Sequence, residues 1–324
     1  MHEKGQLTAV DLEILTSLFN RKTLSLRGIP SVLGIPSRKF FGRVKHLHAT
    51  GVIQGWPVVI NPWATGGFRV FFFFIKTNPS EPSVLKKLLD EGGNYLLSLD
   101  GIAGEYSLLA KFSFSGHDEQ QVLEMVSQLH KIATRARFQR YKIVEAISIY
   151  KHCGFQHDQK VRRLKDQEAA FLELVTAKGI NQPLPPTTAD LGAITGNNQS
   201  TVSRTLARLQ SAGAVTSFSV RTSIRTGHNK FHVSLKVEPA VLPSLVQKLI
   251  QRREITSLYR TGEDYGLYLT VFQPNFESFS QFLKELYLLE GVIDSFSTPV
   301  LETEKESVEP LVTRLASSMH VDVK

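Results

Sequence analysis

A chain of 324 residues with 42% hydrophobic and 21% charged side chains has room for two ordinary domains or several small ones, and this composition excludes a disordered, collagen-like or low-complexity protein. The single cysteine, Cys153, excludes an intrachain disulfide and a cysteine-built zinc site, and the longest strongly apolar run, residues 68–75 with Arg69 inside it, is far short of the ~20 residues of a membrane helix. A net charge of +8 suits an anionic partner, and the first residues lack the apolar core of a signal peptide, so a cytoplasmic protein with no membrane partner is expected.

The elements follow in chain order. Residues 10–19 place Leu12, Leu15, Leu18 and Phe19 at helical spacing. Residues 26–33 predict a second helix, weakened by Gly28 and Pro30. Residues 37–50 predict a third, with Phe40, Val44 and Leu47 inward and Arg38, Lys39, Arg43, Lys45 and His46 outward. Residues 69–76 are β-rich, 82–91 helical, and 95–99 and 106–114 are strands around a glycine turn at Gly101 and Gly104. Residues 119–133 form an amphipathic helix through Val122, Leu123, Val126 and Leu129, and 140–150 a closing strand.

Residues 151–165 are polar and basic and predict a solvated linker in which Arg162, Arg163 and Lys165 are near enough to a docked module to touch phosphate. Helix 166–177 follows, then a proline-rich loop at 182–186, and a short helix 189–195 capped by Thr187 or Thr188. Gly196 turns the chain, Asn197 or Asn198 caps a helix reaching about residue 212, and Gly213 stops it before strand 214–222. The last six elements are 230–237, 242–252, 255–259, 265–272, 276–289 and 294–301, with a loop or short helix after Glu302.

Two features bind these elements into a repeat. An offset of 162 aligns Gly34 with Gly196, Val44 with Leu206, Leu47 with Leu209 and Gly51 with Gly213. Charge repeats too: residues 14–80 hold nine Lys or Arg and no acid, residues 77–130 eight acids and three bases, and residues 191–237 six bases and no acid. The expected architecture is α+β: winged helix-turn-helix domains at 1–62 and 166–226, ferredoxin-like βαββαβ domains at 66–152 and 228–302, a linker at 153–165 and a tail at 303–324.

The third helix of each basic module carries the chemistry. In the second copy Gln199, Ser200, Thr201, Ser203, Arg204 and Arg208 face outward; all donate hydrogen bonds and none is acidic. Arg suits guanine edges or phosphate, Gln suits adenine, and Ser and Thr suit phosphate oxygens. The first copy offers Arg38, Lys39, Arg43 and Lys45, richer in charge and poorer in hydrogen-bonding variety, so it is expected to hold phosphate more than to read bases. Double-stranded DNA is therefore the expected partner. No catalytic residue, cofactor or metal ligand set is expected, and the chain reads as a non-enzyme.

The order of domains, the Leu-x-x-x-Gly endings at residues 47–53 and 209–215, and the elements Gly104-Glu105-Tyr106 and Gly262-Glu263-Asp264-Tyr265 resemble the Lrp/AsnC family of transcription regulators, twice over. The resemblance implies sequence-specific DNA binding, pairing of the ferredoxin-like (RAM) domains into homo-oligomers, and a small effector such as an amino acid near Gly104, Tyr106, Gly262, Asp264 and Tyr265. Fusion of two units implies an intramolecular pseudo-dimer with unlike halves. The sequence departs from the family where Ser107 and Gly266 follow the tyrosines in place of an aspartate. Two alternatives share the architecture: an architectural DNA-coating protein, and a siroheme-decarboxylase-like enzyme, for which His228, His232, Arg221 and Arg225 would be the candidates.

Overall fold

The computed structural model describes residues 7–65, 68–78, 88–90, 95–115, 119–135, 138–156, 161–178, 182–222 and 229–306. Contacts divide the chain into two compact units, one built from residues 1–64 with 161–225, the other from 65–160 with 226–317. Like has paired with like: the two basic modules share one unit and the two acidic modules the other.

In the first unit, α1 (Ala9–Leu18) opens with a capping box in which Thr8 and Asp11 satisfy each other's backbone N–H groups. The second helix falls short of the expected 26–33. Only α2 (Ile29–Val32) forms, because Gly28 starts it and Gly34, at φ +64°, closes it one turn later. Helix α3 (Ser37–Ala49) buries Phe40, Val44 and Leu47, as its spacing requires. In the second copy, α5 (Asp166–Lys178) leads to α6 (Thr188–Thr195), with a Thr187–Asp190 capping box, and then to α7 (Gln199–Ser211), capped by Asn198. Gly196 and Gly213 take φ of +68° and +70°, matching Gly34 and Gly51 (+64° and +74°), so the 162-residue repeat holds in backbone conformation.

The expected hairpin wings are not formed among the described residues. Strands β1 (Ile53–Gly55) and β2 (Val58–Ile60) do not pair with each other. β1 pairs with β9 (Arg221–Thr222) and β2 with β8 (Val215–Phe218), all antiparallel, so each copy completes its ladders with strands of the other. Only Trp56 and Pro57 separate β1 from β2, and proline's fixed negative φ does not fit the positive φ that a type I′ hairpin turn requires at that position. Arg21 adds a bridge to Phe218, Trp56 donates its indole N–H to the Gln182 carbonyl at 2.9 Å, and Trp56 and Val220 join the core around α1 and α3.

The linker is only partly free. Strand β6 (Arg140–His152) runs two residues further than expected and buries Lys151 and His152. A turn at Cys153 and Gly154 then leads into β7 (Phe155–Gln156). Further on, Leu164 is buried and its N–H reaches the Ala64 carbonyl at 2.7 Å.

In the second unit, β3 (Phe68–Lys76), β4 (Leu96–Ile102), β5 (Leu108–Ser115), α4 (Glu119–Arg135) and β6 form one ferredoxin-like half. Of the expected helix at 82–91, residues 88–90 lie within the described residues and are helical. The other half consists of β10 (Asn229–Val237), α8 (Leu242–Ile250), β11 (Ile255–Thr261), β12 (Leu267–Gln273), α9 (Phe276–Tyr287) and β13 (Val292–Glu306). Strand β13 passes the expected end at residue 301, so the start of the tail is strand paired with β4. The strand order is β11-β12-β10-β13-β4-β5-β3-β6-β7, and β11 also pairs with β6, which closes eight strands into an antiparallel barrel.

Alternation along the strands separates two environments. Phe71, Phe73, Leu99, Ala110 and Phe112 in the first half, and Phe231, Val233, Leu258 and Leu269 in the second, form apolar clusters under the helices. Each fully buried side chain of this size stabilises by about 1.5–3 kcal/mol. The intervening residues face the barrel interior. Leu123, expected on the apolar face of α4, is 65% exposed.

Candidate functional site

The third helices present their expected faces. On α7, Gln199, Ser200, Ser203, Arg204 and Arg208 are exposed and Thr201 is half-buried. Asn198 accepts from the Thr201 N–H at 2.8 Å and from the Ser200 hydroxyl at 2.7 Å, so Ser200 is engaged at the cap. Arg208 lies 3.2 Å from the buried Glu168 carboxylate, which also takes Arg162 at 2.8 Å. Burial pushes Glu168 up, but the Lys165 N–H and Arg162 outweigh it and hold the carboxyl below its usual range. Arg204 makes no ion pair among the described residues.

On α3, Arg38, Lys39 and Lys45 are exposed, while Arg43 forms a bidentate pair with Asp11, which has no exposed surface. The two copies thus share a device: a carboxylate at the start of the first helix receives an arginine of the third. The guanidiniums of Arg43 and Arg208 are therefore partly committed to carboxylates of the protein itself. A cleft of about 660 Å³ beside α7 adds Lys22, Arg27 and Gln210, which the sequence reading did not single out although Lys22 and Arg27 lie in its acid-free stretch.

In the second unit a cavity of about 570 Å³ opens where the glycine turns of both copies meet. Tyr106, Gly262, Asp264 and Tyr265 line it; Gly104, at φ +127°, lies in the same turn as Tyr106 without lining it. Arg140 donates to the Tyr106 hydroxyl at 3.1 Å and pairs with Glu105, while Lys142 pairs with Glu263 of the other copy. Tyr265 donates to Asp294 at 2.6 Å, which raises the tyrosine and lowers the aspartate.

The cavity reaches His232, and behind it lies a polar cluster of which the sequence reading named His232 alone. Asp100, fully buried, accepts from Lys230 (3.0 Å) and Thr303 (2.8 Å) and lies 3.0 Å from His232 Nε2. Burial pushes the Asp100 carboxyl up, but the His232 hydrogen bond and the Lys230 charge outweigh it and hold the group ionised. Burial drives His232 down to about 4, against the pull of Asp100, so its imidazole is neutral. Tyr268 stacks on His232 at 5.6 Å, and burial raises its hydroxyl well above the ordinary range. Of the other three decarboxylase candidates, Arg221 sits in β9 of the first unit, and His228 and Arg225 lie outside the described residues.

Comparison with known proteins bears out the expected resemblance. Residues 230–310 match the Lrp/AsnC ligand binding domain. The HTH-type transcriptional regulator FL11 of Pyrococcus furiosus is 27% identical over 148 residues, covering 45% of this chain and 95% of that protein. FL11 of Pyrococcus abyssi is 25% identical over 122 residues, covering 37% of this chain and 81% of that protein. One such regulator thus corresponds to about half of this chain. The siroheme decarboxylase NirDL, solved with an iron-uroporphyrin III analogue, matches over 95% of this chain and 98% of its own, at 10% identity and a TM-score of 0.57. That match shows a shared fold and overturns the expectation of a non-enzyme, since the whole chain has the fold of an enzyme. No helix among the described residues is long and apolar enough to cross a membrane.

Proposed function

We propose that this chain, of Lrp/AsnC type with its unit present twice, is a sequence-specific double-stranded-DNA-binding transcription regulator acting as an intramolecular pseudo-dimer. The observation that carries the reading is the pair of acid-free third helices, α3 and α7, fastened into one unit by shared strands. Helix α7, with Gln199, Ser203 and Arg204 exposed, is the base-reading head; α3, with Arg38, Lys39 and Lys45, holds phosphate. Each domain serves as a winged helix-turn-helix whose wing is completed by its sister copy. Unlike heads suit an asymmetric operator. An effector at the Tyr106 and Tyr265 turns and assembly of several chains complete the reading.

Selection from random duplex DNA at about 150 mM salt tests it. The expected result is an enriched motif with two unlike half-sites about one helical turn, or a multiple of it, apart. Tight binding without enrichment supports an architectural DNA-coating protein instead.

A second reading is an enzyme acting on a tetrapyrrole. It is favoured by His232 held neutral against Asp100 at the cavity wall. A change in the visible absorbance of an added iron tetrapyrrole, lost in His232→Ala, would favour it over regulation.

A further inference from the structure

Helix α7 has the donors to read bases but few charges to hold a backbone. Of its two cations, Arg208 is engaged with Glu168, which leaves Arg204 as the one without an ion pair among the described residues. Helix α3, by contrast, exposes Arg38, Lys39 and Lys45. In a protein–DNA interface roughly half to two-thirds of the hydrogen bonds go to phosphate and sugar, and those contacts fix the register in which a helix meets the bases. A reading helix with one uncommitted cation is incomplete by itself.

The first copy supplies the missing charge. Its stretch between α1 and α2, residues 20–27, is fastened to β8 and α7 of the second copy. Arg21 and Phe218 exchange backbone hydrogen bonds, each at 2.7 Å, and Gln210 on α7 donates its amide to the Lys22 carbonyl at 2.9 Å. Within the stretch, the Arg21 guanidinium donates to the Thr23 and Leu24 carbonyls at 3.3 and 2.9 Å and lies over the Trp56 ring. The loop belongs to the first copy in sequence and to the α7 head in space.

Its place beside α7 follows from helical geometry. Residues turn by about 100° each, so Gln199, Ser203 and Gln210 form one edge of the outward face and Arg208 the opposite edge. Residues 22–27 wall a cleft on the Gln199 edge, while Glu168 and Arg162 stand on the Arg208 edge. No Asp or Glu lines that cleft, and Lys22 and Arg27 are exposed there. The Lys22 ammonium reaches the Thr216 carbonyl at 3.4 Å, and the Arg27 guanidinium makes no ion pair among the described residues. The major groove is about 12 Å wide and a helix with its side chains about 10–12 Å across, so a helix lying in the groove has a phosphate backbone along each edge. Lys22 and Arg27 stand along one such edge of α7. The arrangement is not reciprocal: residues 182–188 of the second copy include no basic residue, and Leu184 packs with Phe41 on the core of the first copy.

We propose that the loop 20–27 of the first copy is the phosphate clamp of the second copy's reading helix: Lys22 and Arg27 hold the DNA backbone of the half-site whose bases α7 reads. The inference rests on the DNA-binding reading above and adds to it a contact that crosses from one copy to the other.

The test uses the full-length chain with a duplex enriched by selection and a scrambled duplex beside it. The double variant Lys22→Gln, Arg27→Gln is expected to bind both duplexes about tenfold or more weakly at about 150 mM salt and to reduce the slope of log affinity against log salt by about 2. The ratio between the two duplexes is expected to stay as in wild type, because a phosphate contact carries no sequence information. Lys248→Gln with Lys284→Gln, at two exposed lysines of the second unit, makes the same change in net charge and is expected to leave the slope unaltered. An iron chelate tethered in a Cys153→Ser, Thr23→Cys chain keeps Lys22 and Arg27 in place; its backbone cleavage is expected in the half-site at which Gln199→Ala relaxes base preference. An unchanged slope in the double variant, an equal loss in the lysine control, or cleavage confined to the other half-site would overturn the clamp and leave DNA binding standing. A wild-type chain that retains no duplex in the selection would overturn both.

Discussion

Arg43 shows how one side chain divides between two roles. Its sequence position puts it on the basic face of α3, but its guanidinium grips Asp11, a carboxylate with no exposed surface. A charge-assisted pair to a buried group is worth about 2 kcal/mol, so Arg43→Met is expected to destabilise the first unit by about that much in a chemical-denaturation measurement. The Arg43 bond, helped by Thr8, holds the Asp11 carboxyl well below its usual range. A depressed carboxylate stabilises fully above its unfolded value near 4 and loses that contribution as pH falls further. Wild type should therefore lose stability on acidification below about pH 4 more steeply than Arg43→Met.

His232 has the same direction in a higher window. Burial lowers it from about 6.5 to about 4, so the unfolded chain takes up a proton that the folded chain refuses. Stability is complete above about pH 6.5 and falls as pH drops towards 4, and His232→Gln should reduce that slope by about 1.4 kcal/mol per pH unit in melts across this range. Neither environment was legible in the sequence. Asp11 and Arg43 are 32 positions apart, and Asp100 and Lys230 are 130 positions apart and meet only through the pairing of strands from the two halves.

At the scale of the element, the helices were legible and the strand partners were not. Capping residues, Gly196, Gly213 and the 3.6-residue period are local signals, and they placed α3, α6 and α7 to within a residue or two. A strand announces its own period but not its mate, so the sequence alone predicts a separate wing for each copy, where β1 and β8 instead pair across the copies. Gly192 is a further local demand that spacing did not reveal: a Cβ there would stand 2.6 Å from the Asn197 carbonyl oxygen. Gly192→Ala is expected to loosen the turn before α7 and to lower both melting temperature and DNA affinity. For the DNA face, Arg204→Ala should weaken binding and reduce the slope of log affinity against log salt by about 1 if Arg204 meets a phosphate; if it meets a base edge, discrimination at one operator position is lost instead. An unchanged affinity would remove α7 from the interface.

For the whole molecule, duplication with fusion changes what each copy must do alone. The offset of 162 and the basic and acidic blocks made the tandem arrangement legible, and the βαββαβ order made both halves of the barrel legible. Closure of the barrel by β13 with β4 and β11 with β6 was not, since it depends on edges that meet only in three dimensions. Because each half presents the edges that the other completes, separately produced halves, 1–160 and 161–324, are expected to co-purify when expressed together and to aggregate or self-associate when expressed singly. Independent monomeric halves would contradict this.

The shared strands also set a timetable for synthesis. Strands β1 and β2 find their partners about 160 residues later in the chain, and β4 waits for β13, which ends at Glu306. At roughly 5–20 residues per second, the first half spends on the order of ten seconds or more emerged from the ribosome without the strands that finish it. Folding that depends on contacts this distant in sequence is slow. The acid-free stretch at residues 14–80, with its mutually repelling charges, meanwhile discourages nascent chains from pairing with one another before their own second half arrives.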